Sequence, residues 1–156
     1  MRGWSFPVGR LFGVEVRIHA FFLLLLAIAI AAGTVAGANA GRVLTLWLLL
    51  LFAVGVRELA RALAAAWFGL EVRGILLLPT GGLMSYATLD ATTRAAEPRI
   101  ERRMAAVGPL ASIGFSLLLA AIVLSSAPGI NLIDRPWISP AHLLRAAVWL
   151  NLLLGL

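Results

Sequence analysis

The sequence predicts an all-α polytopic membrane protein with about four transmembrane helices, the last incomplete, and a short β-hairpin or re-entrant segment after the second. Three observations lead there. The 156 residues are 62% hydrophobic with a mean hydropathy of +0.99, well above the roughly 45–50% apolar content of a soluble domain. The apolar residues fall into long runs with almost no charge. Between the second and third runs, a proline and a glycine pair interrupt a stretch that is otherwise apolar.

Each element follows from that pattern, within a single membrane-embedded domain over 1–156. Residues 18–41 carry no charge and are long enough to cross a hydrocarbon core of about 30 Å. A cleaved signal peptide is the alternative, but its apolar core is usually only about 7–15 residues and this run exceeds that. Gly33, Gly37, Asn39 and Gly41 mark a turn, and residues 43–70 form the second span, roughly 42 Å by helix rise. Residues 72–88 hold Pro79-Thr-Gly-Gly82 between two short apolar runs, a poor helix and a good hairpin. Residues 89–103 read as a polar cytoplasmic segment and 104–127 as the third span, which contains Gly108-Pro109 and the small residues Ala111, Ser112, Gly114 and Ser116. A loop from Pro128 to Pro140 leads to the fourth run, 141–156, which is still apolar at Leu156, so the chain is expected to be a fragment of something longer.

The charge comes from thirteen arginines without a lysine. Arg2, Arg10 and Arg17 precede the first run, and Arg73, Arg94, Arg99, Arg102 and Arg103 lie between the second and third. Only Arg42 and Arg135 occupy the alternate loops, so the positive-inside rule puts the N-terminus in the cytoplasm. The partner expected from composition is the lipid bilayer. Nucleic acid is excluded, because the basic residues form no stripe on a soluble face. With no cysteine, disulfides and thiolate metal sites are excluded too.

Residues 57–61 read Arg-Glu-Leu-Ala-Arg within a run that has no other charge from Val43 to Leu70. A charge at a helix centre costs about 2.5–3.5 kcal/mol on insertion scales, so three together require a function or mutual pairing. The spacing is that of His-Glu-x-x-His, in which imidazoles one helical turn apart share a zinc ion beside a glutamate base. Arginine has no free lone pair and stays protonated, so Arg57 and Arg61 cannot take the ligand role. Either they pair with Glu58 or they line a wet cavity. Elsewhere, His19 and His142 read as boundary residues, and the five tryptophans, notably Trp4, Trp137 and Trp149, as interfacial anchors. Asp134 and Arg135 read as solvated loop charges. Asn151 reads as a polar residue bonding across the bundle.

Four segments in order carry a resemblance: Trp4 to His19, Val56-Arg-Glu-Leu-Ala-Arg-Ala-Leu63, Leu78-Pro-Thr-Gly-Gly82 and Ala106-Val-Gly-Pro-Leu-Ala-Ser112. Together they resemble the site-2 protease family of intramembrane zinc metalloproteases, with Ser112 where that family commonly has asparagine. The resemblance implies Glu58 as the general base, Arg57 and Arg61 at two zinc-ligand positions, and a third ligand, an aspartate in Leu-Asp-Gly, beyond Leu156. It therefore implies zinc in the family but none bound by this chain, and an inactive form of the protease. The implied partner is a membrane-spanning protein substrate, unwound and paired as an added strand along 75–87 with Gly81, Gly82 and Leu83 in contact. A bacterial or archaeal plasma membrane is the implied location. The alternatives are a pseudoprotease that binds membrane helices, or a piece of a transporter or channel with the three charges on an ion path.

Overall fold

Val14, Val16 and Ile18 alternate with Glu15 and Arg17, a two-residue period that makes a half-buried strand. In the computed structural model, which describes residues 4–127 and 129–156, this is β2 (Val14–His19). It pairs antiparallel with β1 (Ser5–Leu11) across a tight turn at Phe12 and Gly13, both at positive φ. Arg17 ties the hairpin together, reaching Glu15, the Ser5 hydroxyl and the Ser5 carbonyl at 2.7–3.0 Å. Arg2 and Pro128, named above for topology and for the start of a loop, lie outside the described residues.

The chain then runs through α1 (Ala20–Val35), α2 (Ala40–Trp67), β3 (Val72–Leu78), β4 (Gly81–Tyr86), α3 (Leu89–Ala95), α4 (Pro98–Ser126) and α5 (Leu143–Gly155). The strands form one sheet in the order β1-β2-β3-β4, with β2 and β3 parallel and the outer pairs antiparallel. The all-α expectation with four spans is therefore corrected: among the described residues there are five helices and a four-stranded mixed sheet. Among the described residues, only α2 and α4, of 28 and 29 residues, are long and apolar enough to cross a membrane by length and composition. The run 18–41 yields a first helix of just 16 residues, because Ile18 and His19 belong to β2 and the helix ends before Gly37. The last run yields 13. The polar segment 89–103 divides between α3 and the first turn of α4, where Pro98 stands at a position that needs no amide hydrogen.

The inner face of the sheet packs on the start of α1 and the middle of α2. Ile75 and Leu77 join Phe22 of α1 and Val54 of α2 in one buried cluster, with Val14, Val16, Ile18 and Met84 packed around it. Trp47 meets the Phe22 ring edge-on and donates its indole N–H to the Phe22 carbonyl at 2.8 Å, so this tryptophan is core rather than anchor. A second cluster of Ala65, Leu70 and Met104 fixes α4 against the far end of α2.

Small residues bring α4 and α5 together. Ser116 donates to the Val148 carbonyl at 2.8 Å, and Gly155 sits so close that an added Cβ would lie 2.5 Å from Ile113 Cγ1 and 3.0 Å from the Pro109 carbonyl oxygen. Because the second contact is backbone, little can yield. Gly155→Val should cost roughly 1–3 kcal/mol, read as a lower unfolding midpoint in micelles. An unchanged midpoint would show that the two helices do not hold this approach.

Candidate functional site: an arginine–glutamate–arginine cluster

Positions 57, 58 and 61 stand on one side of α2, and the structure shows what surrounds them. Glu58 is 1% exposed. Arg61 Nη1 lies 2.8 Å from Glu58 Oε2, and the same nitrogen donates to the Gly82 carbonyl at 3.0 Å. Arg57 Nε stands 4.0 Å from Glu58 Oε1, an ion pair too long for a hydrogen bond, while its Nη1 donates to the Leu154 carbonyl near the end of α5. The arginine side chains retain 19% and 25% exposure. Of the two sequence readings of the arginines, pairing with the glutamate is the one the geometry supports.

Two glycines make room for the cluster. A Cβ on Gly82 would stand 2.6–2.8 Å from three atoms of the Glu58 side chain, and one on Gly108 would stand 3.0 Å from Arg57 Nε and 3.1 Å from Arg61 Cδ. The Pro-Thr-Gly-Gly and Gly-Pro segments are thus the walls on either side of the charged face of α2. Gly81 is nearby, since a Cβ there would stand 3.7 Å from Glu58 Oε1. Leu83 points away and is 57% exposed on β4, which has a partner strand on one side only.

Several buried polar atoms at this interface lack a hydrogen-bond partner: Arg57 Nε, Glu58 Oε1, Ser112 Oγ and Asn151 Oδ1. Asn151 corrects the expectation of a bond across the bundle, because its Nδ2 donates to Ala147 on its own helix at 2.9 Å. His19 accepts from the Phe21 amide as the α1 cap, and His142 is the residue before α5; neither is near the cluster's contacts. Trp137 and Trp149 stack on each other at 4.6 Å, each bonded to a backbone carbonyl. The sequence reading missed Gly108 as a spacer for the arginines, Leu154 as the acceptor for Arg57, and Arg145, which is 5% exposed. Arg145 could have been noticed as the sole charge in the last apolar run.

No family model matches the chain. Among curated proteins it is similar to zinc metalloprotease MJ0392 of Methanocaldococcus jannaschii, at 29% identity over 97% of this chain and 40% of that protein. It is also similar to Rip3 of Mycobacterium tuberculosis, which carries a zinc metalloprotease name, at 30% identity over 97% and 39%. A solved site-2 protease from Methanocaldococcus jannaschii superposes with a TM-score of 0.74 at 26% identity, covering 97% of this chain and 62% of that one. The chain is similar to site-2 proteases in both sequence and fold. It spans about two fifths of the length of the curated relatives it matches.

The zinc named for those relatives does not fit the residues present here. No group of three His, Cys, Asp or Glu side chains stands together among the described residues. The two positions flanking Glu58 offer guanidinium groups, which donate hydrogen bonds and repel a cation. Within the site-2 protease fold, this cluster is a closed ion network rather than a metal cage.

Proposed function

We propose that the chain is the membrane-embedded core of a site-2-protease-type protein that holds an extended membrane segment without cutting it. One observation carries this reading: the Arg61 guanidinium fills the space beside the family's base, bound at once to Glu58 and to the carbonyl of Gly82. A site without lone-pair donors cannot organise an attacking water through a metal.

The outward faces of α2 and α4 support a bilayer around it. Leu44, Leu48, Phe52 and Leu63 on one and Leu117 and Ile122 on the other are all at least 41% exposed, a surface suited to lipid rather than water. The open edge of β4 supports the mode of recognition, since a strand can be added where one row of backbone groups has no neighbour.

A photoreactive group at Leu83 should capture a single-span peptide whose middle contains Gly and Pro more strongly than a Leu-Ala helix of equal length, and neither peptide should be cleaved. The same group at Val8, on the opposite edge of the sheet, is the control. Equal capture at both edges would refute strand addition, and a cleaved product would refute the non-catalytic reading.

A further inference from the structure

At the other end of α5, far along the helix from the arginine–glutamate cluster, the charged groups answer a different question. The turn before α5 and its first residues enclose a cavity of about 530 Å³ lined by Asn131, Asp134, Arg135, His142 and Arg145. A smaller space of about 270 Å³ adjoins it and is lined by Arg42, His142, Leu144 and Arg145. Arg145 lines both spaces, with Arg135 on the larger and Arg42 on the smaller, so guanidinium groups from three separate stretches of chain border two adjoining spaces.

Arg145 is the unusual member. It is 5% exposed, and only its Nη1 is engaged, donating to the carbonyls of Asn131 at 3.3 Å and Asp134 at 2.8 Å. Its Nε is buried without a partner, and Nη2 makes no hydrogen bond yet is not enclosed, on a residue that lines both spaces. Holding the turn in place uses one nitrogen of the three. The N-terminus of α5 adds to the same field, since no side chain caps it and the amides of Leu143, Leu144 and Arg145 have no acceptor among the described residues. Arg42 spends one nitrogen on the Ala141 carbonyl at 3.2 Å, and Arg135 lies over the Trp137 ring at 4.9 Å.

One carboxylate opposes these charges. Asp134 Oδ1 accepts from Asn131 Nδ2 at 3.0 Å, and no ion pair joins it to any of the three arginines among the described residues. The balance in the pocket is therefore positive, with planar donors suited to a phosphate oxygen pair.

We propose that this pocket binds a phosphate group, with the phosphodiester of an anionic lipid headgroup as its source. The surroundings favour a lipid. Ile133 is 79% and Leu144 51% exposed beside the cavity, placed to meet acyl chains, and the stacked Trp137 and Trp149 are of the kind found at the boundary between hydrocarbon and headgroups.

The test uses the full chain in bilayer discs. Dioleoylphosphatidylglycerol, titrated into discs of dioleoylphosphatidylcholine, should quench Trp137 and Trp149 fluorescence saturably. The double variant Arg42→Gln/Arg135→Gln, in which both altered residues are exposed, should weaken that binding by at least about tenfold while leaving helix content unchanged. Arg145→Gln should abolish it, with the double variant as the safeguard if that protein does not fold. Inorganic phosphate supplied to lipid-poor micelles separates the sources: millimolar stabilisation equal to that of the lipid supports the phosphate pocket with a free anion as its occupant. Binding of both probes unchanged in the double variant overturns the proposal, as does equal affinity for the zwitterionic lipid. None of these outcomes depends on whether the β4 edge binds a peptide.

Discussion

Replacing Arg61 with methionine should destabilise the protein by roughly 2–4 kcal/mol, because removal of one partner leaves a buried carboxylate without its close counter-ion. Glu58 is 1% exposed, and Arg57 at 4.0 Å is too far to replace the 2.8 Å contact. The lower half of that range is the better guide to the outcome, since a quarter of the Arg61 side chain is exposed and water screens part of the pair. The Gly82 carbonyl loses its donor at the same time. The companion variant Glu58→Met/Arg61→Met should return to within about 1 kcal/mol of the parent, as buried ion pairs exchanged for apolar residues of similar volume often do. Unfolding in mixed micelles gives all four corners of the cycle. A single-variant loss below about 0.5 kcal/mol would mean the cluster does not hold α2 to β4.

The second large effect is a gain. Arg57→His/Arg61→His places two imidazoles one helical turn apart beside Glu58, and Gly82 and Gly108 already leave the face of α2 uncrowded by side chains. The double variant should bind zinc stoichiometrically, whereas the parent and both single variants should not. Cobalt substitution gives the readout, through the visible absorption of a low-symmetry site. Adding Glu58→Gln should leave the metal in place, because the imidazoles hold it. If the double variant binds no metal, the 57 and 61 positions do not face a common point and their equivalence to ligand positions fails.

Much of this cluster was legible in the chain. Charges at i, i+1 and i+4 in an apolar helix must converge and must find partners, and Pro79-Thr-Gly-Gly82 announces a turn where a helix cannot continue. What was hidden depended on distance along the chain. That Gly82 lies against Glu58, that Gly108 lies against both arginines, and that Leu154 accepts from Arg57 are all contacts between separate elements, and no local pattern encodes them. The sheet was missed for a different reason. Val14 to His19 does alternate, but it is six residues long and runs straight into an apolar helix, so the hydrophobic stretch absorbed its end. The length of α1 was overestimated by the same merging. Arg145 was passed over because a single charge near the end of an apolar run looks like a boundary residue until its burial is known.

The parallel pairing of β2 with β3 has a consequence for how the protein is made. Glu15 to Ile18 pair with Gly74 to Leu77, and the whole of α1 and α2 lies between them. The β1–β2 hairpin leaves the ribosome before β3 with half its polar edge unmatched, and it must wait until both helices and β3 have been synthesised before the sheet can close. During that interval the exposed strand is at risk of pairing with a neighbouring nascent chain. A pause in translation after β4 would shorten the danger, while an insertion in the turn between α1 and α2 would leave the closing distance nearly unchanged, since the two helices themselves carry β3 back to β2.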